Sequence, residues 1–177
     1  MEYQEELIKT MDWLNQKEDT LFIGQTCKYP GTNLYKTLQD VDILKCIEFP
    51  ICESFQFGTA IGLSLQGYIV INLYPRLNFL LCCIDPLVNF LDKLDKISHN
   101  EFQSKMIIRS AIGSNKPLYP GCQHLFDYTV GLQSMLSTIE VIRLDESNQI
   151  FESYQRAYER NDGKSTLLIE WADKYNN

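Results

Sequence analysis

The sequence has few of the residues, and none of the short motifs, on which several common enzyme classes depend. Only two of its 177 residues are histidines, and no two cysteines form a C-x-x-C pair. The motifs of dinucleotide-binding enzymes (G-x-G-x-x-G), serine hydrolases (G-x-S-x-G) and zincins (H-E-x-x-H) are absent. Basic residues are also scarce, since 16 Lys and Arg face 23 Asp and Glu, for a net charge of -7. Nucleic acid or an anionic membrane is therefore not expected as a primary partner.

The sequence also lacks a long hydrophobic run and a basic leader. Its most apolar window, residues 77–91, is interrupted by Asp85 and Pro86 and is shorter than the roughly 20 residues of a membrane span. The N-terminal residues are acidic and helix-patterned, unlike a signal peptide. We therefore expect a cytoplasmic protein whose six cysteines are free thiols, most of them buried. Cys122 and His124 form a local pair of zinc-ligand types, but two ligands are too few for a zinc site.

What the sequence does contain is typical of a globular α/β protein. Hydrophobic residues make up 45% of the chain, and its length predicts one domain over residues 1–177. Several apolar runs are continuous rather than alternating, which predicts a mainly parallel sheet covered by helices on both faces, a three-layer sandwich. Strands are predicted at 20–24, 45–49, 68–73, 105–110, 138–143 and 165–170, and helices at 2–17, 54–66, 78–98 and 148–158.

Two polar residues stand out against this pattern. Glu53 is a carboxylate in an otherwise apolar junction between a predicted strand and a helix. Burial of a carboxylate costs several kcal/mol unless it is paired or protonated, although an acid near a helix N-terminus is the simpler explanation of this segment alone. His124 closes the long loop 111–123, and loops at strand ends are where α/β sheets place functional residues. A histidine there is more often a helix-start residue than a catalytic one.

At these residues the sequence resembles the pyrimidine-binding domain of thiamine-diphosphate enzymes. The resemblance is strongest to the beta subunit of the dehydrogenase component of 2-oxoacid dehydrogenase complexes, with transketolase more distant. The matched motifs are the family's P-I-S-E, its glycine-bearing helix, its N-F…I-D-x-x-x-N helix, its I-R strand and its Q-H loop. In chain order they lie at 50–53 (P-I-C-E), 58–62, 66–67, 78–79, 84–85, 88–89, 107–109 and 123–124.

The resemblance implies the thiamin-diphosphate-binding fold and a role for each of four residues. Glu53 would hydrogen-bond the ring nitrogen of the cofactor's aminopyrimidine and so activate the cofactor. Ile51 would form a wall of the pyrimidine pocket and Phe79 would pack on the ring, although packing into the core explains Phe79 equally well. His124 would orient substrate or transfer protons near the reacting centre. Ile51, Phe55 and Phe79 would give Glu53 an apolar setting, which favours proton sharing with the ring nitrogen.

The sequence also departs from this family. Phe55 and Gln56 stand where the closest relatives usually have Gly and an aromatic residue, and Pro75-Arg76 replaces apolar and small residues. No G-D-G…N motif, by which the sister domain holds magnesium and the diphosphate, is present. The resemblance therefore implies a separate diphosphate-binding, alpha-like subunit in a heterotetramer. Relatives of the beta type continue into a C-terminal domain that docks the acyltransferase core, so such docking is not expected here.

Three functions remain open at this point. The first is the pyrimidine-binding subunit of a split thiamine-diphosphate enzyme, acting on a 2-oxoacid or ketose-type donor. The second is a non-catalytic scaffold or regulatory module that keeps the fold and the subunit interface. The third is a small α/β domain that binds another ligand. The apolar stretch 79–91 is larger than one core face needs, so part of it is expected in a subunit interface.

Overall fold

In the described part of the chain, six short runs of mainly apolar residues form one sheet in which every strand is parallel to its neighbours. The computed structural model describes residues 2–116 and 119–176. The strand order is β2-β1-β3-β4-β6-β5. Every residue of β3 and β4 is buried, as the continuous apolar runs predicted. The strands are β1 (Thr20–Gly24), β2 (Cys46–Glu48), β3 (Ile69–Tyr74), β4 (Met106–Ile112), β5 (Glu140–Arg143) and β6 (Thr166–Trp171).

Helices cover both faces of the sheet and bury one hydrophobic core on each. The first layer contains α1 (Tyr3–Asn15) and α6 (Ile150–Glu159), with the single turn Tyr35–Leu38. The second layer contains α2 (Glu53–Leu65), the segment 77–97 and α5 (Thr129–Met135). The predicted three-layer α/β sandwich is thus confirmed. No helix of the described ranges is both long and apolar enough to cross a membrane.

The segment 77–97 differs from the single long helix predicted over 78–98. It contains α3 (Leu77–Leu80), a π-helical turn at Pro86–Phe90 and α4 (Leu94–Ile97), joined by 3₁₀ turns. Pro86 explains the interruption, because it has no N–H to donate and its ring clashes with the preceding turn. Most apolar side chains of 79–91 pack into the second core, while Cys82 and Phe90 are exposed. Helix α5 was not predicted.

A buried carboxylate in the segment 77–97 binds the backbone just before β5. Asp92 is fully buried and accepts hydrogen bonds from the backbone N–H groups of Ser137 (2.8 Å), Thr138 (2.7 Å) and Ile139 (3.2 Å). It also forms an ion pair with Lys93. Burial alone would raise the pKa of Asp92, but the hydrogen bonds from Lys93, Thr138 and Ser137 hold it well below its ordinary value.

Replacing Asp92 by asparagine should destabilise the fold by about 1–3 kcal/mol at pH 7, because buried N–H donors lose a charged acceptor. Since the folded-state pKa is depressed, this contribution is complete above about pH 4, the unfolded pKa, and is lost as pH falls below it. Urea unfolding at several pH values measures the difference. Asp85→Asn, at an exposed carboxylate in the same segment, is the control. A gap between wild type and Asp92→Asn that does not shrink in acid would contradict this account.

A second buried network joins the middle of the sheet to the first helical layer. Arg109 on β4 donates to Glu170 on β6 from Nε (2.7 Å) and Nη2 (2.9 Å), and both side chains are fully buried. Glu170 also accepts the hydroxyl groups of Tyr154 and Tyr175. Arg109 Nη2 donates to Thr37 Oγ1 at 2.8 Å, whereas its Nη1 has no partner among the described residues. One carboxylate therefore satisfies three buried donor groups.

Gly24 ends β1 where the backbone of β3 comes too close for a side chain. A Cβ atom added there would lie 2.7 Å from Leu73 O and 2.8 Å from Leu73 Cβ. Gly24→Ala should therefore cost about 1–3 kcal/mol in urea unfolding, because backbone must move. Gly58→Ala is the matched control, since no atom lies within 4 Å of its added Cβ and alanine favours helix α2 by roughly 0.5–1 kcal/mol. Equal stability of the two variants would exclude the steric explanation.

Candidate functional site

The loops at the carboxyl ends of β1 and β3 leave the sheet toward opposite helical layers. After β1 the chain enters the first layer, and after β3 it enters the second. In parallel α/β sheets a crevice opens at such a switch point and commonly binds ligands. A cleft of about 480 Å³ lies here and is called the switch-point cleft below. It is lined by residues 30–36 after β1, by Pro75, Arg76 and Phe79 after β3, by Ser114 and Lys116 after β4, and by Ala172 and Tyr175 after β6.

Three basic side chains line the switch-point cleft although the chain as a whole is acidic. Lys36, Arg76 and Lys116 come from the loops after β1, β3 and β4. Arg76 Nη1 donates to Gly113 O at 2.8 Å, which fixes the guanidinium. Burial lowers the pKa of Arg76, while the charge of Asp173 opposes that shift. In the sequence, Arg76 stands out only as a departure from the family, and the two lysines do not stand out at all. The one signal that could have found these three residues is that each follows a predicted strand.

Glu53 is the first residue of α2 and is half-buried at the same edge of the sheet. The preceding residue, Cys52, is the N-cap of the helix and makes no side-chain capping hydrogen bond. A carboxylate in the first turn is stabilised by the helix dipole, which accounts for part of the position. Tyr74, the last residue of β3, lies beneath it and donates its hydroxyl to Glu53 O at 3.4 Å. Helix and strand thus hold the backbone of Glu53 while its side chain remains accessible.

A row of buried polar groups supports α2 below Glu53. Gln56 is fully buried, and its Nε2 donates to Asn72 Oδ1 (2.8 Å) and to Leu73 O (3.0 Å). Asn72 Nδ2 in turn donates to the Tyr74 hydroxyl at 3.3 Å. Burial raises the pKa of Tyr74 well above its ordinary value, so the hydroxyl stays protonated. Gln56 Oε1 has no partner among the described residues, which leaves a buried acceptor one turn from Glu53.

Phe79 and His124 come together although 45 positions separate them. Their ring centroids are 5.4 Å apart at an interplanar angle of 52°. His124 Nδ1 lies 3.1 Å from Asn78 Oδ1, and an acceptor there assigns the ring proton to Nδ1 and leaves Nε2 as the acceptor. Phe79 also lines the switch-point cleft, so one aromatic ring joins the histidine to the cleft. Glu53 makes a different contact, since its backbone oxygen accepts the hydroxyl group of Tyr74.

Among the described residues, Ile51 and Phe55 do not enclose Glu53 in the expected apolar setting. Ile51 has an exposed fraction of 85% and Phe55 one of 61%. Phe55 packs against Phe49, with ring centroids 5.3 Å apart, and not over a closed pocket. Ile51 lies in the connection between β2 and α2, where the family resemblance implied a pocket wall. In the described ranges, no three His, Cys, Asp or Glu side chains are grouped to hold a metal ion.

Comparisons with known proteins identify the fold. No protein-family model and no curated protein matches the sequence. Among solved structures, a split-gene transketolase described as an inactive beta4 tetramer aligns with 97% of this chain and 52% of its own, at a TM-score of 0.73 and 14% identity. Benzoylformate decarboxylase from Polynucleobacter necessarius aligns with 99% of this chain and 31% of its own, at a TM-score of 0.69 and 14% identity. The chain spans about half or less of these proteins. It therefore has the transketolase-like, thiamin-diphosphate-binding fold that the resemblance implied.

Proposed function

We propose that residues 1–177 are the pyrimidine-binding domain of a split thiamine-diphosphate enzyme that works with a separate diphosphate-binding, alpha-like subunit. The observation that carries the proposal is the position of Glu53, an accessible carboxylate at the first residue of α2. Phe79 and His124 follow β3 and β4, which are adjacent strands, while Glu53 follows β2 at the edge of the same sheet. The reaction proposed is decarboxylation of a 2-oxoacid or transfer of a two-carbon ketol or acyl unit. The assembly proposed is a cytoplasmic heterotetramer.

The side chains present are of the kinds that a thiamine pyrimidine requires. When bound, thiamine diphosphate supplies the nucleophilic carbon that adds to the carbonyl group of a 2-oxo substrate. The Glu53 side chain is half-buried, so a ring nitrogen can reach it, and a carboxylate can share a proton with such a nitrogen. Phe79 offers an aromatic face beside the cleft. Magnesium and the diphosphate are assigned mainly to the partner, since this sequence has no G-D-G…N motif.

His124 is proposed to act on the substrate and not on the pyrimidine. With the proton of its ring on Nδ1, held by Asn78, its Nε2 can accept a proton at the reacting centre. The contact with Phe79 sets the orientation of the ring. A substrate that reaches this centre through the switch-point cleft passes Arg76 and Lys116. These charges favour an anionic donor, and the carboxylate of a 2-oxoacid meets that requirement.

The exposed apolar residues beside Glu53 support a half site that a partner completes. Ile51 and Phe55 expose most of their surface next to the proposed pyrimidine position, where water would compete for the carboxylate. A second subunit that covers them would exclude this water and give Glu53 its apolar setting. The split-gene transketolase of similar fold is a beta4 tetramer, so self-association of this chain is proposed as well.

A non-catalytic scaffold or regulatory module is the second candidate. The buried acceptor Gln56 Oε1, which has no described partner, lies one turn from Glu53. Such a group is costly unless a ligand or water satisfies it, and it indicates that the wall beside Glu53 has changed. A protein that keeps this fold for assembly alone would tolerate the change. Binding of the cofactor decides between the two functions.

The test is co-expression of this chain with the candidate diphosphate-binding subunit, followed by calorimetric titration with thiamine diphosphate and magnesium. The proposal expects a stable complex that binds the cofactor, whereas neither subunit binds it alone. A complex that binds no cofactor would support the scaffold function. Absence of any complex, with the cofactor bound by this chain alone, would contradict both the half site and the partner.

A further inference from the structure

The two helical layers expose different kinds of side chain to solvent. In the first layer, every exposed residue of α1 and α6 is charged. These residues are Glu5, Lys9, Glu152, Arg156 and Glu159. In the second layer, no exposed residue of α2 or α5 is charged. Because the chain carries a net charge of -7, two copies repel each other over most of their surface, and an uncharged face is where they can come into contact.

The exposed residues of α2 lie on one side of the helix, which is called the α2 outer face below. They are Ser54, Phe55, Gly58, Gly62 and Leu65, followed by the C-cap residue Gln66. Phe55 and Leu65 have exposed fractions of 61% and 38%, and about 15 Å separates their positions along the helix. An uncharged helix face that carries two large exposed apolar side chains indicates an interaction surface.

The two glycines of the α2 outer face are not required by the fold of this chain. A Cβ atom added at Gly58 or Gly62 would meet no atom within 4 Å, and neither residue has a positive φ. Each glycine in the middle of a helix costs about 0.5–1 kcal/mol relative to alanine. Two such glycines are explained if the backbone of another chain approaches here, since glycine allows the closest contact.

The α2 outer face is symmetric about Ala60, which is buried on the opposite side of the helix. Its residues form pairs at equal distances before and after Ala60. The pairs are Ser54 with Gln66, Phe55 with Leu65, and Gly58 with Gly62. A two-fold axis level with Ala60 therefore brings glycine onto glycine, an apolar side chain onto an apolar one and a polar side chain onto a polar one. This self-complementarity points to a second copy of the same chain as the occupant.

We propose that two copies of this chain associate through their α2 outer faces, with the two helices antiparallel about this axis. The glycines let the two backbones come together at the centre, and Phe55 packs on Leu65 of the second copy at each end. At the rim, the Ser54 hydroxyl meets the Gln66 amide of the second copy, and each can donate and accept a hydrogen bond. The contact also covers Phe55, which is part of the cover that the proposed half site needs. The inference rests on the self-association proposed above and names its surface, but it does not depend on cofactor chemistry.

Sedimentation equilibrium of the full chain, without cofactor or a diphosphate-binding subunit, measures the association directly. A contact between two helices is smaller than the roughly 1,200–2,000 Å² of a standard interface, so we expect a dimer that dissociates on dilution. Gly62→Leu should raise its dissociation constant about tenfold or more, because the added side chain separates the helices. Leucine favours a helix over glycine, so the fold of this variant should be kept.

Gly131→Leu is the matched control. Gly131 is an exposed glycine of α5 with equally open space around it, and α5 packs on β5 at the other end of the sheet. This variant should dimerise as the wild type does, and circular dichroism should show that both variants are folded. A wild-type chain that stays monomeric at every concentration, or a Gly62→Leu chain that dimerises as well as Gly131→Leu, would overturn the proposal.

A charge test examines the antiparallel pairing itself. The double variant Phe55→Lys, Leu65→Glu places opposite charges across the proposed axis, whereas Phe55→Lys, Leu65→Lys places like charges there. The first should dimerise about tenfold or more tightly than the second at low salt. Within one chain the two positions are about 15 Å apart, so solvent screens any attraction between them. The second variant has the smaller net negative charge, so general repulsion acts against the expected difference. Equal dissociation constants would overturn the antiparallel pairing.

These measurements are independent of the test of the proposed function, because they use this chain alone. A dimer that depends on Gly62 supports the inference even if the complex with a diphosphate-binding subunit binds no cofactor. A monomeric wild-type chain overturns it even if that complex does bind the cofactor. If the wild type is monomeric and Gly62→Leu abolishes binding to the diphosphate-binding subunit, the α2 outer face belongs to that subunit, and a second copy is excluded as its occupant.

Discussion

Replacing Glu53 by glutamine is expected to slow proton exchange at the thiazolium C2 of the cofactor by about 100- to 10,000-fold in the complex with the diphosphate-binding subunit. Glutamine has nearly the same shape, but it cannot share a proton with the ring nitrogen. The backbone contact with Tyr74 does not involve the side chain, so the helix should remain in place. Exchange of the C2 proton with deuterium, followed by NMR, measures the rate directly and needs no knowledge of the substrate.

Glu152→Gln is the matched control. Glu152 is an exposed acid in the first turn of α6 and loses the same charge at the same kind of position. The control should exchange at the wild-type rate, and both variants should keep the wild-type unfolding temperature and assembly. A Glu53→Gln complex that binds the cofactor and exchanges as fast as the control would remove the basis for an enzymatic role.

Glu170→Gln is expected to destabilise the chain by about 3–5 kcal/mol, the largest loss among the stability changes considered. Glu170 neutralises Arg109 and accepts two tyrosine hydroxyls, and all of these groups are buried. A neutral amide leaves the guanidinium charge without a counter-ion in the centre of the sheet. Urea unfolding at pH 7 measures the change in the free energy of unfolding.

Two further variants test whether the loss in Glu170→Gln comes from a buried charge left without its partner. Glu140→Gln removes a partly exposed carboxylate that pairs with Arg156 and Arg160, and it should cost at most about 1 kcal/mol because solvent screens both pairs. The double variant Arg109→Met, Glu170→Leu should lose less than the sum of its single changes, because no charge is left unpaired. Additive losses in this cycle would mean that the ion pair contributes nothing as a pair.

The sequence predicts an element well when the pattern that specifies it lies within a few consecutive residues. Strands β1 and β3 agree with their predicted positions, because a strand buried on both faces consists of a short run of consecutive apolar residues. The irregular segment 77–97 was predicted as one helix because the apolar spacing is helical on both sides of Pro86. Helix α5 was missed because its seven residues include Gly131 and carry only two buried positions.

The position of a candidate site residue can be predicted from sequence where that residue comes after a predicted strand. Glu53, Phe79 and His124 could each be placed after a predicted strand, but the contact between Phe79 and His124 depends on how two loops meet. The basic residues of the switch-point cleft are 40 positions apart along the chain, and only the strand order brings them together. The family resemblance implied a pocket wall at Ile51, whereas its side chain is 85% exposed because no described residue covers it.

The strand order also dictates when the sheet can be completed during synthesis on the ribosome. β1 to β4 are adjacent in the order β2-β1-β3-β4 and can pair as soon as each has emerged. β5 cannot join them, because its partner in the sheet is β6, which lies between it and β4. The edge of β4 therefore stays open until the last strand arrives, and β5 docks only after that. A nascent chain that stalls before Thr166 would carry a four-stranded sheet with an unpaired inner edge, the form most open to wrong pairing and to capture by chaperones.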